Sequence, residues 1–179
     1  MPNDCENKLV IRGLHEDLEI FIKDHFRQNE DKEWFLDFNT IIPEPTKRSE
    51  CDKKYVMKRG ETRNLQLSKG KKWFDWYRWR LDNWNTKWGA YDCTITEDYD
   101  MLVIYFCTAW TPCLSIIGKL ITMHPALTFD YAFYECGCML GGTIKGDYGR
   151  VMSTHECDDS ELKQFAIDYG FECADSEEA

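Results

Sequence analysis

With 179 residues, 43% of them hydrophobic and 15% aromatic, the chain is too apolar to stay disordered and long enough to bury the core of one domain. Its formal charge of −10 disfavours a general nucleic-acid binder. The first residues lack a signal-peptide pattern and no stretch of about 18 apolar residues occurs, so we expect a cytoplasmic protein with no membrane partner.

The first part of the chain predicts a strand, a helix and a second strand. Residues 5–12 carry three successive aliphatic side chains and stop at Gly13, as a short buried strand does. Between residues 13 and 29 apolar side chains recur at helical spacing, with acids in the first turns, where the helix dipole favours them. Residues 34–38 predict a strand that the proline-containing residues 42–45 end.

The middle of the chain predicts an insertion followed by a hairpin. Residues 46–70 are polar and basic without clear periodicity, and residues 71–84 favour a helix, so the insertion as a whole covers about residues 40–90. Residues 91–96 and 101–107 flank a polar turn. The second arm of this hairpin is apolar on both faces and should be a central strand.

The last part predicts a helix, a strand pair and a final helix. Thr111 and Pro112 suit a helix start, and the apolar stripe that follows ends at His124. Residues 127–135 predict a strand with residues 138–145 as its candidate partner, and residues 159–169 predict an amphipathic helix that Gly170 closes.

This order of elements indicates an α+β fold, a ferredoxin-like antiparallel sheet with helices packed on one face. We expect one domain over residues 1–179, which includes the basic, tryptophan-rich insertion. An acidic C-terminal segment, about residues 156–179, contains the final helix and carries nine acids against one lysine.

Several strings carry a family resemblance. They are MPN and CEN in residues 1–7, IPEP in 42–45, WY at 76–77, NWNTKW in 83–88, TAWTP in 108–112 and YE at 134–135. Together they resemble the YubB-like ferredoxin-like family of plasmids and bacteriophages, a domain of unknown function. That family has tryptophan at the position of Asp4 and glycine at the position of Asn85, although asparagine also tolerates a left-handed turn.

The resemblance implies an accessory protein of a mobile element. Counter-defence proteins of such elements often use an acidic surface of their own as a mimic. A clustered negative face can occupy the basic groove of a partner, although such a face often serves only solvation. The acids that we select as candidate binding residues are Asp158, Asp159, Glu161 and Glu172.

A second candidate binding site contains tryptophans around a lysine, a set that can stack on a planar ligand or enclose a cation. Its members are Trp84, Lys87, Trp88 and Trp110. The alternative is that the tryptophans attach the insertion to the sheet. We expect this structural role for Trp88 and Trp110, with Lys87 partly exposed beside them.

A third pattern interleaves aromatic and basic residues, as single-stranded nucleic acid binding requires. Its residues are Lys71, Lys72, Trp73, Phe74, Trp76, Tyr77, Arg78, Trp79 and Arg80. On a helix, however, Trp73, Trp76 and Trp79 would share one face, which favours a buried stripe with the bases at its solvated edge.

The cysteines do not indicate a metal or a catalytic centre. Nine cysteines, an odd number scattered mostly through apolar runs, are typical of reduced thiols in a cytosol. Cys136, Cys138, His155 and Cys157 have the residue types of a zinc site without the common finger spacing, so we expect no metal. No P-loop, dinucleotide-binding or nucleophile-elbow motif occurs, and we expect no cofactor.

The function that the resemblance implies is a non-enzymatic accessory protein of a phage or plasmid, which binds a host protein through an acidic surface and acts as a counter-defence inhibitor. A single-stranded nucleic-acid-binding module that uses the basic insertion is the alternative. An uncharacterised enzyme ranks third.

Overall fold

The structure is a computed structural model that describes residues 3–45, 56–57 and 73–171. The strands in those ranges are β1 (Asp4–Arg12), β2 (Phe26–Gln28), β3 (Trp34–Leu36), β4 (Val56–Met57), β5 (Trp73–Phe74), β6 (Tyr91–Asp98), β7 (Met101–Ala109), β8 (Thr128–Glu135), β9 (Leu140–Asp147) and β10 (Arg150–Glu156). The α-helices are α1 (His15–His25), α2 (Trp76–Trp84), α3 (Leu114–Met123) and α4 (Leu162–Tyr169), and a 3-10 turn covers Phe38–Thr40.

The main sheet is antiparallel, with the strand order β10-β9-β8-β1-β7-β6. Its part β8-β1-β7-β6, with α1 after β1 and α3 after β7, is the β-α-β-β-α-β arrangement of a ferredoxin-like domain. The expected α+β class and the interior position of β7 are therefore confirmed. β9 is the expected partner of β8, whereas β10 has no counterpart among the predicted elements.

The main core lies under α1 and α3, which pack on one face of the sheet as expected. Alternate residues of β1 and β8, among them Leu9, Ile11 and Phe129, face these helices and are fully buried. Gly146 of β9 permits close approach of α3, because a Cβ atom there would lie 2.5 Å from the side chain of Ile121.

The C-terminal helix α4 packs on the opposite face. Ala132 and Tyr134, which alternate with the core residues of β8, form a second buried cluster with Leu162 and Ala166 of α4. A Cβ atom at Gly141 would lie 2.7 Å from Leu162, so this approach is also close. Helix α4 ends at the predicted Gly170. Among the described residues, it leaves the same face of β6 and β7 exposed.

A buried amide connects three strands beneath α3. Asn7 donates its amide N–H groups to the carbonyl oxygens of Cys5 and Phe106 and to the hydroxyl of Thr108. Its Oδ1 accepts a hydrogen bond of 2.6 Å from the hydroxyl of Tyr131. These bonds satisfy both the donor and the acceptor of the amide, which is 1% exposed.

Helix α1 ends earlier than the predicted residue 29. Phe26 already has an extended conformation and pairs with Leu36 of β3. The guanidinium of Arg27 donates to the carbonyl oxygens of Lys23 and Asp24, groups that the helix end leaves unsatisfied. Strand pairing and this cap therefore end the helix at His25.

Helix α2 begins at Trp76 and not at residue 71. The Asp75 carboxylate accepts the backbone N–H of Arg78 at 3.0 Å and caps the helix, while Trp73–Phe74 before it pairs with Val56–Met57. The rest of the predicted insertion, residues 46–55 and 58–72, lies outside the described residues.

The start of α3 differs from the prediction because another loop caps it. Cys113, and not Thr111, precedes the first helical residue. Asn85, left-handed at φ +65° as expected of asparagine there, accepts the backbone N–H of Ser115 with its Oδ1 at 2.7 Å. Its carbonyl oxygen accepts the hydroxyl of Thr111. The loop after α2 thus positions α3.

Candidate functional site

An open, acidic groove lies on the sheet face that α4 leaves uncovered. The register pairs Glu6 of β1 with Cys107 of β7, and Tyr105 of β7 with Thr94 of β6, so these side chains share one face. The groove has a volume of about 890 Å³. The residues that define this acidic groove are Asp4, Glu6, Asp92, Tyr105, Cys107 and Glu135.

The far wall of the acidic groove is rigid. Glu135, the last residue of β8, is 1% exposed, and its carboxylate accepts the backbone N–H groups of Gly137 and Cys138 in the turn after β8. Phe171, buried behind Gly170 at the end of α4, adds an apolar surface to the same wall. The groove therefore combines fixed negative charge with aromatic surface.

Burial and nearby carboxylates raise the pKa values of two groups in and beside the acidic groove. Burial, followed by the charges of Asp4, Asp92 and Glu6, raises the pKa of Cys107 to about 12. The Tyr91 hydroxyl donates a hydrogen bond to the Asp4 carboxylate. Burial, followed by this bond, raises the pKa of Tyr91 as well. Both groups stay protonated at neutral pH, so neither is an activated nucleophile.

The predicted tryptophan site separates into a buried and an exposed part. Trp84 is 2% exposed, packs edge-on against Phe38 and Trp79, and donates its indole N–H to the carbonyl of Ile42. Trp88 is 36% exposed, and the Lys87 ammonium lies 4.7 Å from its ring centre. The exposure of Trp88 argues against the structural role expected for it, whereas Lys87 is partly exposed as expected.

Trp110 is also exposed, at 43%, which argues against the structural role expected for it. Its backbone has φ +71°, a left-handed conformation that is strained for so large a residue. Its N–H donates to the carbonyl of Asn3 at 3.0 Å. Within the described part of the chain its ring pairs with no other aromatic ring. Strain of this kind often marks functional positions, so Trp110 stays a binding candidate.

The aromatic and basic residues of α2 also divide between core and surface. Trp79 is buried, but Trp76 and Tyr77 are exposed, so the stripe that the sequence suggested is only partly buried. Arg80 forms an ion pair with Glu44 at 2.6 Å. The side chains of Lys71, Lys72 and Trp73 lie outside the description.

The predicted acidic patch is local in the structure. Asp158, Asp159 and Glu161 are exposed in the turn that leads into α4, and Glu172 lies outside the described residues. The Asp158 carboxylate accepts the backbone N–H groups of Ser160 and Glu161, so it also caps this turn. These acids and those of the acidic groove lie at opposite ends of α4.

The fold does not bring together the four residues that the sequence analysis considered as zinc ligands. His155 and Cys157 lie together with Glu161, and the ligand atoms of the three residues are within 4.8 Å of one another. Cys136 and Cys138, in the exposed turn between β8 and β9, are outside this group. Sequence spacing alone could not associate Glu161 with the other two.

The acids of the groove were missed by the sequence analysis. The alternation of Asp4 and Glu6 with buried Cys5 and Asn7 was a usable signal for a polar strand face. Asp92 and Glu135 had no such signal, because only strand pairing brings them to the same surface.

None of the helices in the described ranges is long and apolar enough to span a bilayer.

A match to a family model supports the ferredoxin-like fold. A family model described as "Ferredoxin-like domain in Api92-like protein" matches residues 83–176, just over half of the chain. The crystal structure of protein Api92 from Yersinia pseudotuberculosis matches with a TM-score of 0.42 and 14% identity, over 46% of this chain and 30% of that chain. The match thus spans less than a third of that protein. No curated protein matches the sequence.

Proposed function

The chain belongs to the family of ferredoxin-like domains in Api92-like proteins, and from that premise we propose that it is a binding module for a basic segment of a protein partner. The observation that carries the proposal is the acidic groove, where Asp4, Glu6 and Asp92 surround an open cavity of about 890 Å³. The YubB-like family name and the plasmid or phage setting remain predictions.

The chemistry of the groove fits arginine-rich chain segments. A guanidinium group pairs with carboxylates in a bidentate manner and stacks on aromatic rings, and the groove offers carboxylates beside the exposed ring of Tyr105. The net charge of −10 adds long-range attraction for a basic partner and repulsion for nucleic acid. A peptide-sized ligand suits the open shape better than a small molecule, which is usually enclosed.

The proposed setting is an accessory role in a mobile element. A module that occupies the basic surface of a host protein would inhibit it, as counter-defence proteins do. In this proposal the acids of the turn before α4, Asp158, Asp159 and Glu161, extend the negative surface beyond the groove.

The test uses a fluorescent nona-arginine peptide and anisotropy at low and physiological salt. Glu6→Gln with Asp92→Asn should weaken binding more than tenfold, because hydrogen bonds to charged groups contribute about 1.5–3 kcal/mol each. Glu16→Gln with Asp24→Asn, on α1, removes the same charge far from the groove and should change affinity little. Equal losses in both double variants would show attraction to net charge alone and contradict the proposal.

A second candidate function rests on the exposed aromatic surface of α2. Trp76 and Tyr77 lie edge to face, and Lys87 approaches both Tyr77 and Trp88. Such a surface suits single-stranded nucleic acid. Saturable, salt-sensitive binding of an oligonucleotide that Tyr77→Ala and Trp88→Ala abolish would support this candidate.

A further inference from the structure

Three different metal-binding side chains meet where β10 passes into α4. The imidazole of His155, the thiol of Cys157 and the carboxylate of Glu161 each have a ligand atom within 4.8 Å of the other two. His155 Nε2 lies 3.3 Å from Glu161 Oε2. A nitrogen, a sulfur and an oxygen ligand are thus close together at a point distant from the acidic groove.

The backbone directs two of these side chains to the same side. The N–H of Cys157 donates to the carbonyl of Gly141 at 2.9 Å, which continues the pairing of β10 with β9 by one residue. Residues 155 and 157 therefore both follow strand geometry, and side chains two residues apart in a strand share a face.

Hydrogen bonds in the turn that leads into α4 hold the third side chain, Glu161. Asp158 Oδ1 accepts the backbone N–H of Glu161 at 3.2 Å, and Glu161 Oε2 accepts the backbone N–H of Asp158 at 3.3 Å. This reciprocal pair is a capping box. It fixes Glu161 beside the end of β10, so the carboxylate is already ordered next to His155.

We propose that His155, Cys157 and Glu161 bind a zinc ion, with water in the fourth position. Thiolate, imidazole and carboxylate are the three ligand types of protein zinc sites, and three protein ligands leave one position open. Bond lengths of about 2.0–2.3 Å place tetrahedral ligands roughly 3.3–3.8 Å apart. Side-chain rotations would bring the ligand atoms, which lie within 4.8 Å of one another, to these distances. His155 and Glu161 are exposed, so water reaches the open position.

The charges around the thiol favour a cation. The carboxylate of Glu161 has an oxygen within 4.8 Å of the Cys157 sulfur, and Asp158 follows Cys157 directly in the chain. The thiol proton passes to solvent when the Zn–S bond forms.

The experiment adds Zn²⁺ or Co²⁺ to the chelator-treated, reduced full chain. Calorimetry should show one zinc per chain with proton release, and Co²⁺ should give thiolate charge-transfer absorption together with tetrahedral d–d bands. Zinc should also raise the melting temperature, because a ligand that binds only the folded state stabilises it.

The variants distinguish this site from adventitious binding to other thiols. Cys157→Ser, His155→Ala and Glu161→Gln should each weaken zinc binding by more than the roughly 10- to 100-fold effect of outer-sphere changes, and Gln at position 161 keeps the capping box. Cys136→Ser and Cys138→Ser are matched controls that should bind normally. Absent zinc binding, or binding that only the control variants lose, would overturn the proposal.

Discussion

The two faces of the sheet use their polar groups in different ways. On the face under α1 and α3, buried polar groups such as Asn7 and His25 are paired within the protein. On the other face, beyond α4, the carboxylates of Asp4, Glu6 and Asp92 surround one open groove, where burial followed by these charges raises the pKa of Cys107. Like charges at close range oppose folding. The covered face therefore stabilises the fold, and we propose that the open face uses its charge for binding.

Trp84→Ala should cause the largest loss in the free energy of unfolding, because Trp84 belongs to the main core. The side chain is buried against Phe38 and Trp79, and emptying such a site costs about 3–5 kcal/mol. Urea unfolding should show this loss. Trp110→Ala, at an exposed ring, is the matched control and should cost less than about 1 kcal/mol. Comparable losses in the two variants would break the distinction between buried and exposed tryptophans.

The histidine pair should make the first face sensitive to acid. His25 Nε2 lies 2.7 Å from His124 Nε2, so a single proton lies between the two rings. Burial, followed by the charge of His124, lowers the pKa of His25 to about 4, and burial lowers that of His124.

The unfolded chain takes up these protons near the ordinary histidine pKa of 6.5, before the folded chain does. Stability should therefore fall as pH decreases from 6.5 towards 4, by no more than about 3 kcal/mol from His25. Urea unfolding at several pH values measures this. His124→Gln should flatten the slope in that window, and an unchanged slope would contradict the effect.

Tyr131→Phe tests the buried amide. The change removes the hydroxyl that donates to Asn7 Oδ1 and leaves this buried acceptor without that partner, at a cost of about 1–3 kcal/mol. Tyr105→Phe removes an exposed hydroxyl on the opposite face and should change stability by less than about 0.5 kcal/mol. Equal effects from the two hydroxyls would remove the contrast between the faces.

Neutralising the acidic groove should have the smallest effect on folding. Glu6→Gln with Asp92→Asn should change the free energy of unfolding by less than about 0.5 kcal/mol at physiological salt. At low salt the Asp92→Asn single variant should be the more stable protein, since it relieves repulsion between like charges. A large loss of stability would show that these carboxylates hold the fold together.

The sequence predicted the covered face better than the open one. Apolar periodicity and alternation located β1, α1, β7, α3, β8 and α4, because burial repeats with the period of each element. The predicted end of α1 and the predicted starts of α2 and α3 were wrong. Arg27, Asp75 and Asn85 determine them through hydrogen bonds that no periodicity contains.

The candidate sites depend on tertiary pairing and were less predictable. The sequence identified Trp84, Lys87, Trp88 and Trp110 by residue type, but type does not distinguish the buried Trp84 from the exposed Trp110. Asp92 and Glu135 reach one groove only because β6 and β8 lie on either side of the β1 and β7 pair. Glu161 meets His155 only through the turn into α4.

The most direct test of the account is an NMR titration of the labelled protein with the nona-arginine peptide. We predict that backbone amide shifts change along β1, β6 and β7 near Glu6, Asp92 and Cys107, and that the Glu6→Gln, Asp92→Asn variant loses these changes while it keeps its fold. Changes confined to α1 and α3, or to the turn at residues 158–161, would contradict the assignment of binding to the open face of the sheet.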